Sequence, residues 1–375
     1  MRMSTQQLSL SLLFFVSMFS FSSFANNPVY EQRRTDYINH SLSNFSRHTI
    51  TIQAYMGVPV DSATLHQMVG DIRRTGTVDF DIVQLVRILC LSTGQYNSLI
   101  LPALDSIPFW MTKGDTLHGY WSENHMIQWM SSDWILHEKY GKAIDANLDN
   151  RLRHYLRLKV NYGFYEFFSS VYSPYCLSGL LNLADFAQDT EIKALATLAS
   201  QRLLKELLMI TNDQGVFFPT AGRNYFGKYE NAYDQNHNNL IYLLTGFGLA
   251  PTSASHAGGF LASSSLPVDS IIDSWKSELD ITYHIGHTLD TSFVLNSGQS
   301  YLDRTIFQWS FGGYFDPRVA GTTGQLLIDS NLWKHVDFAP FAAFSQFDSS
   351  TISSLAQQLT VASKSTVICN EDAVI

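Results

Sequence analysis

From residue 60 to about residue 250 the chain repeats one pattern: an apolar run at helical spacing, then a short polar turn. No stretch of strict apolar–polar alternation interrupts it. Residues 81–90 place Ile82, Val83, Leu85, Val86, Ile88 and Leu89 at helical spacing, with Asp81 near the cap. A second helix is expected from Tyr96 to Ile107, broken at Pro108, and a third from Glu123 to Tyr140, stopped by Gly141. Further helices are expected over 148–160, 175–186 and 190–210, and another begins at 238 and ends before Gly246. Residues 26 to about 50 are polar and show no clear period, and 252–265, rich in Ser, Ala and Gly, reads as a loop. Helical pieces are expected again near Ile271 and over 354–362.

Consecutive helices joined by short loops pack as antiparallel pairs. A regular solenoid would show a repeating residue motif, and there is none. The expected fold is therefore all-α: an incomplete α/α toroid of antiparallel helical hairpins over 26–360. The β-prone run Ser365–Cys369 reads as the start of a truncated C-terminal β domain over 361–375.

The first 25 residues carry Arg2, the apolar run Leu8 to Phe21 and small residues at Ser23 and Ala25. That is the layout of a cleaved secretory signal, too short in its apolar part for a membrane span. The expected location is secreted or periplasmic, without stable membrane insertion after cleavage. Asp and Glu number 33 against 24 Lys and Arg, for a net charge of −9, which disfavours nucleic acid as a partner. Three cysteines (Cys90, Cys176 and Cys369) form neither a disulfide framework nor a metal spacing, and no metal or cofactor is implied.

Three polar clusters interrupt the helical background. Trp121-Ser122-Glu123-Asn124-His125 opens a helix, where free N–H groups and the positive helix end favour an anion. Ser122 is also a natural N-cap and Glu123 complements the dipole, which leaves Asn124 and His125 to be explained. The second cluster runs from Gly163 to Tyr175 and includes Glu166, Ser169 and Tyr172. Tyr172 and Tyr175, at i and i+3, also fit one packed helix face. The third holds Arg223, a bidentate partner for a carboxylate, with Tyr225 and His237. Arg223 and His237 are equally consistent with structural, buried roles.

The ordered set Asn124-His125, Gly163, Glu166, Ser169 and Tyr172, with helices between, resembles the heparinase II/III-like and alginate-lyase-like toroid polysaccharide lyases over roughly 80–250. The resemblance implies a secreted lyase that cleaves a uronic-acid-containing polysaccharide by β-elimination. It assigns Asn124 and His125 to neutralising the uronate, Tyr172 to acid/base work, and His237 (with His284 and His287 as alternatives) to a second base. Glu123, Glu166, Tyr175, Arg223 and Tyr225 then line the substrate. The chain departs from the family in placing Ser173 rather than His after Tyr172. Two other readings stand beside it: a glycoside hydrolase with Glu123 and Glu166 as its paired carboxylates, and an inactive glycan-binding protein on a lyase-like scaffold.

Overall fold

The computed structural model describes residues 27–111, 115–164, 166, 169, 171–216, 235–277 and 326–327. Towards the C-terminus it also describes 332–336, 338–348, 350–351, 354, 369–370 and 373–374. The protein is mostly helical. The helices are α1 Pro28–Ser43, α2 Thr49–Tyr55, α3 Ser62–Asp71, α4 Asp79–Leu91, α5 Asn97–Leu104 and α6 Glu123–Tyr140. They continue with α7 Leu148–Tyr162, α8 Ser173–Phe186, α9 Thr190–Met209, α10 Gln235–Thr245, α11 His256–Ala262 and α12 Asp269–Ser277. Two short 3₁₀ turns, Leu332–Lys334 and Ala339–Gln346, follow. The pair β1 (Cys369–Asn370) and β2 (Ala373–Val374) is antiparallel, with Cys369 opposite Val374.

Local chemistry sets most of these ends. Helix α6 stops at Gly141, whose left-handed φ of 71° lets its N–H reach back to the His137 carbonyl. Helix α8 starts earlier than the apolar pattern alone suggests, because Pro174 sits in the first turn, where its missing N–H costs nothing. Helix α9 is capped by Asp189, which accepts from the Ile192 N–H at 2.9 Å.

Two expectations are corrected. The polar stretch after residue 26 is helical, as α1 and α2, and the Ser/Ala/Gly-rich stretch 252–265 contains α11. Helix α1 buries only Tyr30, Tyr37, Ile38 and Ser41. The rest of its inner face is arginine, aimed at carbonyls far along the chain. Arg33 donates to the Leu243 and Leu244 carbonyls at the end of α10, and Arg34 to the Ala262 carbonyl at the end of α11. In α11, glycine is required by contact: a Cβ on Gly258 would overlap the Tyr37 hydroxyl, and one on Gly259 would lie 2.8 Å from Thr51 Oγ1.

Helices α2, α4, α6, α8 and α11 each pack on the next in that order, and α11 packs back on α2. The circle is narrow, since α4 and α8 also touch across it. Outside it, α7 packs on α9, α9 on α8 and α12, and α10 on α11 and α1. The core lies between the circle helices, where Leu85, Ile88, Ile127, Met130, Leu177, Leu180, Leu181 and Phe260 are sealed from solvent. Helices α6 and α8 approach closely at Gly179, where a Cβ would sit 3.0 Å from the Ile127 carbonyl oxygen.

Arg87 clamps three of the circle helices. It is fully buried on α4, with Asp185 Oδ2 at 2.8 Å and Asn182 Oδ1 at 3.1 Å. It also donates to the Ser263 hydroxyl and carbonyl just after α11, at 2.8 and 2.6 Å. The rings of Phe186 and Phe260 flank the guanidinium at 5.2 and 5.1 Å. Truncating one partner of such a buried pair strands the other charge. Arg87→Met is expected to lower stability by about 3–5 kcal/mol, read as a fall in the denaturant midpoint.

Candidate functional site

Five helices of the circle begin at the same end of it. Their first turns carry His48 before α2, Phe80 on α4, His125 on α6, Tyr175 on α8 and His256 on α11. These rings form one connected series. Phe80 is stacked between His125 (5.1 Å) and Tyr175 (4.1 Å), Tyr175 leans on His256 (4.7 Å), and His256 meets His48 edge-on (5.5 Å). Helix N-termini gathered this way present positive dipole ends to one mouth. Arg47, at its rim, is paired with Asp81 at 2.7 Å.

His125 is held from behind. Its Nδ1 lies 2.7 Å from Oδ2 of Asp79, a fully buried residue that opens α4. Gln128, one turn along α6, donates its Nε2 to the same oxygen at 3.2 Å and to the Asn124 carbonyl at 3.1 Å. Burial pushes the Asp79 carboxyl up, and the charge and hydrogen bond of His125 pull the other way without cancelling it. A carboxylate on Nδ1 fixes the tautomer and the orientation of the ring. The His125 Nε2 faces Gly119, where a Cβ would come to 3.9 Å.

Asn124 is turned away from this role. It is fully buried, and its Nδ2 is taken by Glu166 Oε2 at 2.8 Å and Ser122 Oγ at 3.0 Å. Only its oxygen, an acceptor, has no partner among the described residues. Ser122 itself sits at φ 134°, a conformation that side chains rarely adopt and that costs about 1–3 kcal/mol. The side-chain cap expected of Ser122 is not made.

Beneath the mouth, Glu123 and Glu166 do come together, but out of solvent. Glu123 is fully buried, with Oε1 on the ammonium of the equally buried Lys159 of α7 and Oε2 accepting the Glu166 N–H at 2.8 Å. Oxygens of both carboxylates and the Cys176 sulfur lie within 4.8 Å of one another. This is the donor set a metal would need, yet the positive charge is already supplied by Lys159. Burial, with the two carboxylates nearby, also keeps the Cys176 thiol well above its usual range.

Tyr172 is the N-cap residue of α8, almost buried, with its backbone N–H on Ser169 Oγ at 3.1 Å. Tyr175, one turn on, is the Tyr of the pair that joins the ring series. His237 is fully buried on α10 and lines a small cavity with Ser173, Leu177, Glu206 and Leu240, between α8, α9 and α10. Arg223, Tyr225, His284, His287 and residues 1–26 lie outside the described residues. Asp79, Lys159, His48 and His256 were not singled out by sequence. Asp79 lay just ahead of the expected start of its helix, and an isolated Lys or His carries no pattern. His256 is fully buried, has no hydrogen-bond partner among the described residues, and is pushed well below the usual imidazole range by that burial.

Compared with known protein families, curated protein sequences and solved structures, the chain matches none. Among the described residues, no helix is long and apolar enough to cross a membrane.

The segment that enters α6 has its own titrating lock. His118 Nδ1 is 3.0 Å from Asp115 Oδ2, and its Nε2 is 3.4 Å from the Ile72 carbonyl. Tyr120 donates to the same Asp115 oxygen at 2.8 Å. Burial opposes the charged ring, but the hydrogen bond and charge of Asp115 outweigh it, so the His118 pKa is raised. A raised histidine stabilises the fold fully below its unfolded pKa of about 6.5 and loses that contribution as pH climbs through the folded value. The melting temperature is therefore expected to fall as pH rises above neutrality, and His118→Gln to flatten that slope.

Proposed function

We propose that this chain is a secreted polysaccharide lyase that cleaves a uronate-containing glycan by β-elimination at the mouth of the helix circle. The observation that carries the reading is the Asp79–His125 pair: an imidazole fixed at Nδ1 by a buried carboxylate, where the long helices α4, α6 and α8 begin. The closed order α2–α4–α6–α8–α11 supports the finer fold reading, an incomplete α/α toroid.

Elimination removes the proton on C5 of the uronate and expels the oxygen on C4. The C5–H bond breaks, a C4–C5 double bond forms, and the departing oxygen takes up a proton. The C5 proton becomes labile only when the adjacent carboxylate is neutralised. His125 and the N–H groups of the first helical turns supply that stabilisation in this reading. Asn124, committed to Glu166 and Ser122, then orients the Glu166 segment rather than the sugar. Tyr172, at the end of that segment, is assigned the acid/base role. Arg223 and Tyr225 remain the proposed contacts to the rest of the chain of sugars. Glu123 and Glu166 are close enough for a hydrolase pair, but hydrolysis by them is less well supported because both are buried and one of them faces Lys159.

The test is ultraviolet absorbance at the C4–C5 double bond on alginate, heparan sulfate, chondroitin, hyaluronan and ulvan. An increase is expected on one of these. Tyr172→Phe should abolish it, and Asp79→Asn should lower kcat by about 10²-fold or more. Release of reducing ends without the double bond would transfer the chemistry to hydrolysis. Glycan binding with no product of either kind would leave an inactive glycan-binding protein.

A further inference from the structure

Lys159 and Glu123 meet under conditions unlike those of an ordinary ion pair. Both side chains are completely sealed from solvent, on helices α7 and α6. The Lys159 nitrogen lies between aromatic walls, 4.8 Å from the Tyr155 ring centre and 5.6 Å from that of Phe164. The Glu123 carboxyl is differentiated at its two oxygens: Oε1 faces Lys159, and Oε2 accepts the Glu166 backbone N–H at 2.8 Å. A second buried carboxylate, that of Glu166, has an oxygen within 4.8 Å of a Glu123 oxygen and is steadied by Asn124 at 2.8 Å.

We propose that Lys159 and Glu123 condense to an intramolecular amide, with Glu166 as the proton shuttle. The arrangement supplies each part of an acyl transfer: a nucleophile held against the carboxyl, a backbone N–H on the oxygen that must carry negative charge, and a neighbouring carboxylate for the proton. Moving one proton along the hydrogen bond converts ammonium and carboxylate into amine and carboxylic acid, the form that a site shut off from water accommodates with least cost. The amine nitrogen then adds to Cδ of Glu123, and the oxyanion forms at Oε2 on the Glu166 N–H. Glu166 takes a proton from the nitrogen and gives it to Oε1. The Cδ–Oε1 bond breaks and Oε1 leaves as water. One N–C bond forms, one C–O bond breaks, and no oxidant or cofactor is needed. The product removes two buried charges and ties α6 covalently to α7, directly below the mouth. This inference does not rest on the lyase reading and stands or falls without it.

The experiment is mass spectrometry of the purified full chain. The intact mass is expected to fall short, by one water, of the mass of the sequence from the chain's determined N-terminus. A tryptic digest should contain one branched peptide joining the segments around 123 and 159. Glu166→Gln, which keeps both partners, is expected to restore the full mass in most molecules. Wild-type chain at full sequence mass, with the 123 and 159 peptides separate, overturns the proposal. So does a missing water that persists in Lys159→Arg, since it then arises elsewhere. The wild-type digest decides the matter even where a variant fails to fold.

Discussion

The carboxyl of Glu123 is the point on which the site's construction depends. It opens the longest of the circle helices that reach the mouth, yet faces inward with no access to water. A carboxylate in that position is tolerated only if its charge and lone pairs are met. Lys159 meets one oxygen and the Glu166 backbone meets the other. Through those two bonds α7 and Glu166 take their places against α6. Asn124 repeats the connection one residue later through the Glu166 side chain. Register at the mouth is thus set from below, by a buried polar network, and not by the residues that face the opening.

Two of the three histidines of the mouth follow a common rule. Asp79 occupies Nδ1 of His125. Gln84 occupies Nδ1 of His48 at 3.2 Å, and the Gln84 amide is oriented because its Nε2 donates to the Phe80 carbonyl at 3.0 Å. Oxygen is therefore what His48 meets, and its Nδ1 carries the proton. Both rings are given a fixed tautomer by acceptors on α4. His256, with no such partner among the described residues, is pushed well below the usual imidazole range by its burial, with the charges of His48 and Arg47 acting in the same direction. One helix therefore sets the protonation pattern of the opening, while Arg87, further along it, ties α4 to α8 and to the end of α11.

Helices with an apolar face were readable from sequence almost to the residue, as α6 shows by running from Glu123 to Tyr140 with Gly141 as its C-cap. Those stabilised by remote polar contacts were not. Helix α1 hides its period because Arg33 and Arg34 spend their charge on carbonyls some two hundred positions away. Helix α11 hides behind Gly258 and Gly259, which look like a loop until Tyr37 and Thr51 are seen against them. The site divides in the same way. Glu123, Asn124, His125 and Glu166 were legible as a cluster because helix N-termini concentrate polar residues. Their roles were not, because whether Asn124 points at a ligand or at Glu166 depends on where a loop forty residues later comes to rest. Asp79 and Lys159 carried no local signal at all, their partners lying on other helices.

The order in which the circle closes has a kinetic consequence. The circle closes where α11 packs back on α2, and contacts just outside it join the same two ends of the described helical region: Tyr37 donates to Asn239 at 2.6 Å across a separation of 202 residues, and the Asn27 N–H reaches Asp269 across 242. Pairings between α4, α6 and α8 span far shorter loops and meet a smaller entropic barrier. The middle of the chain is thus placed to assemble first. Helices α1 and α2 then wait, polar and individually weak, until α10 and α11 have formed the surface that receives them. A chain built this way holds its first helices in reserve, and the histidine face of the mouth, which needs both His48 and His256, is finished only in the last folding step.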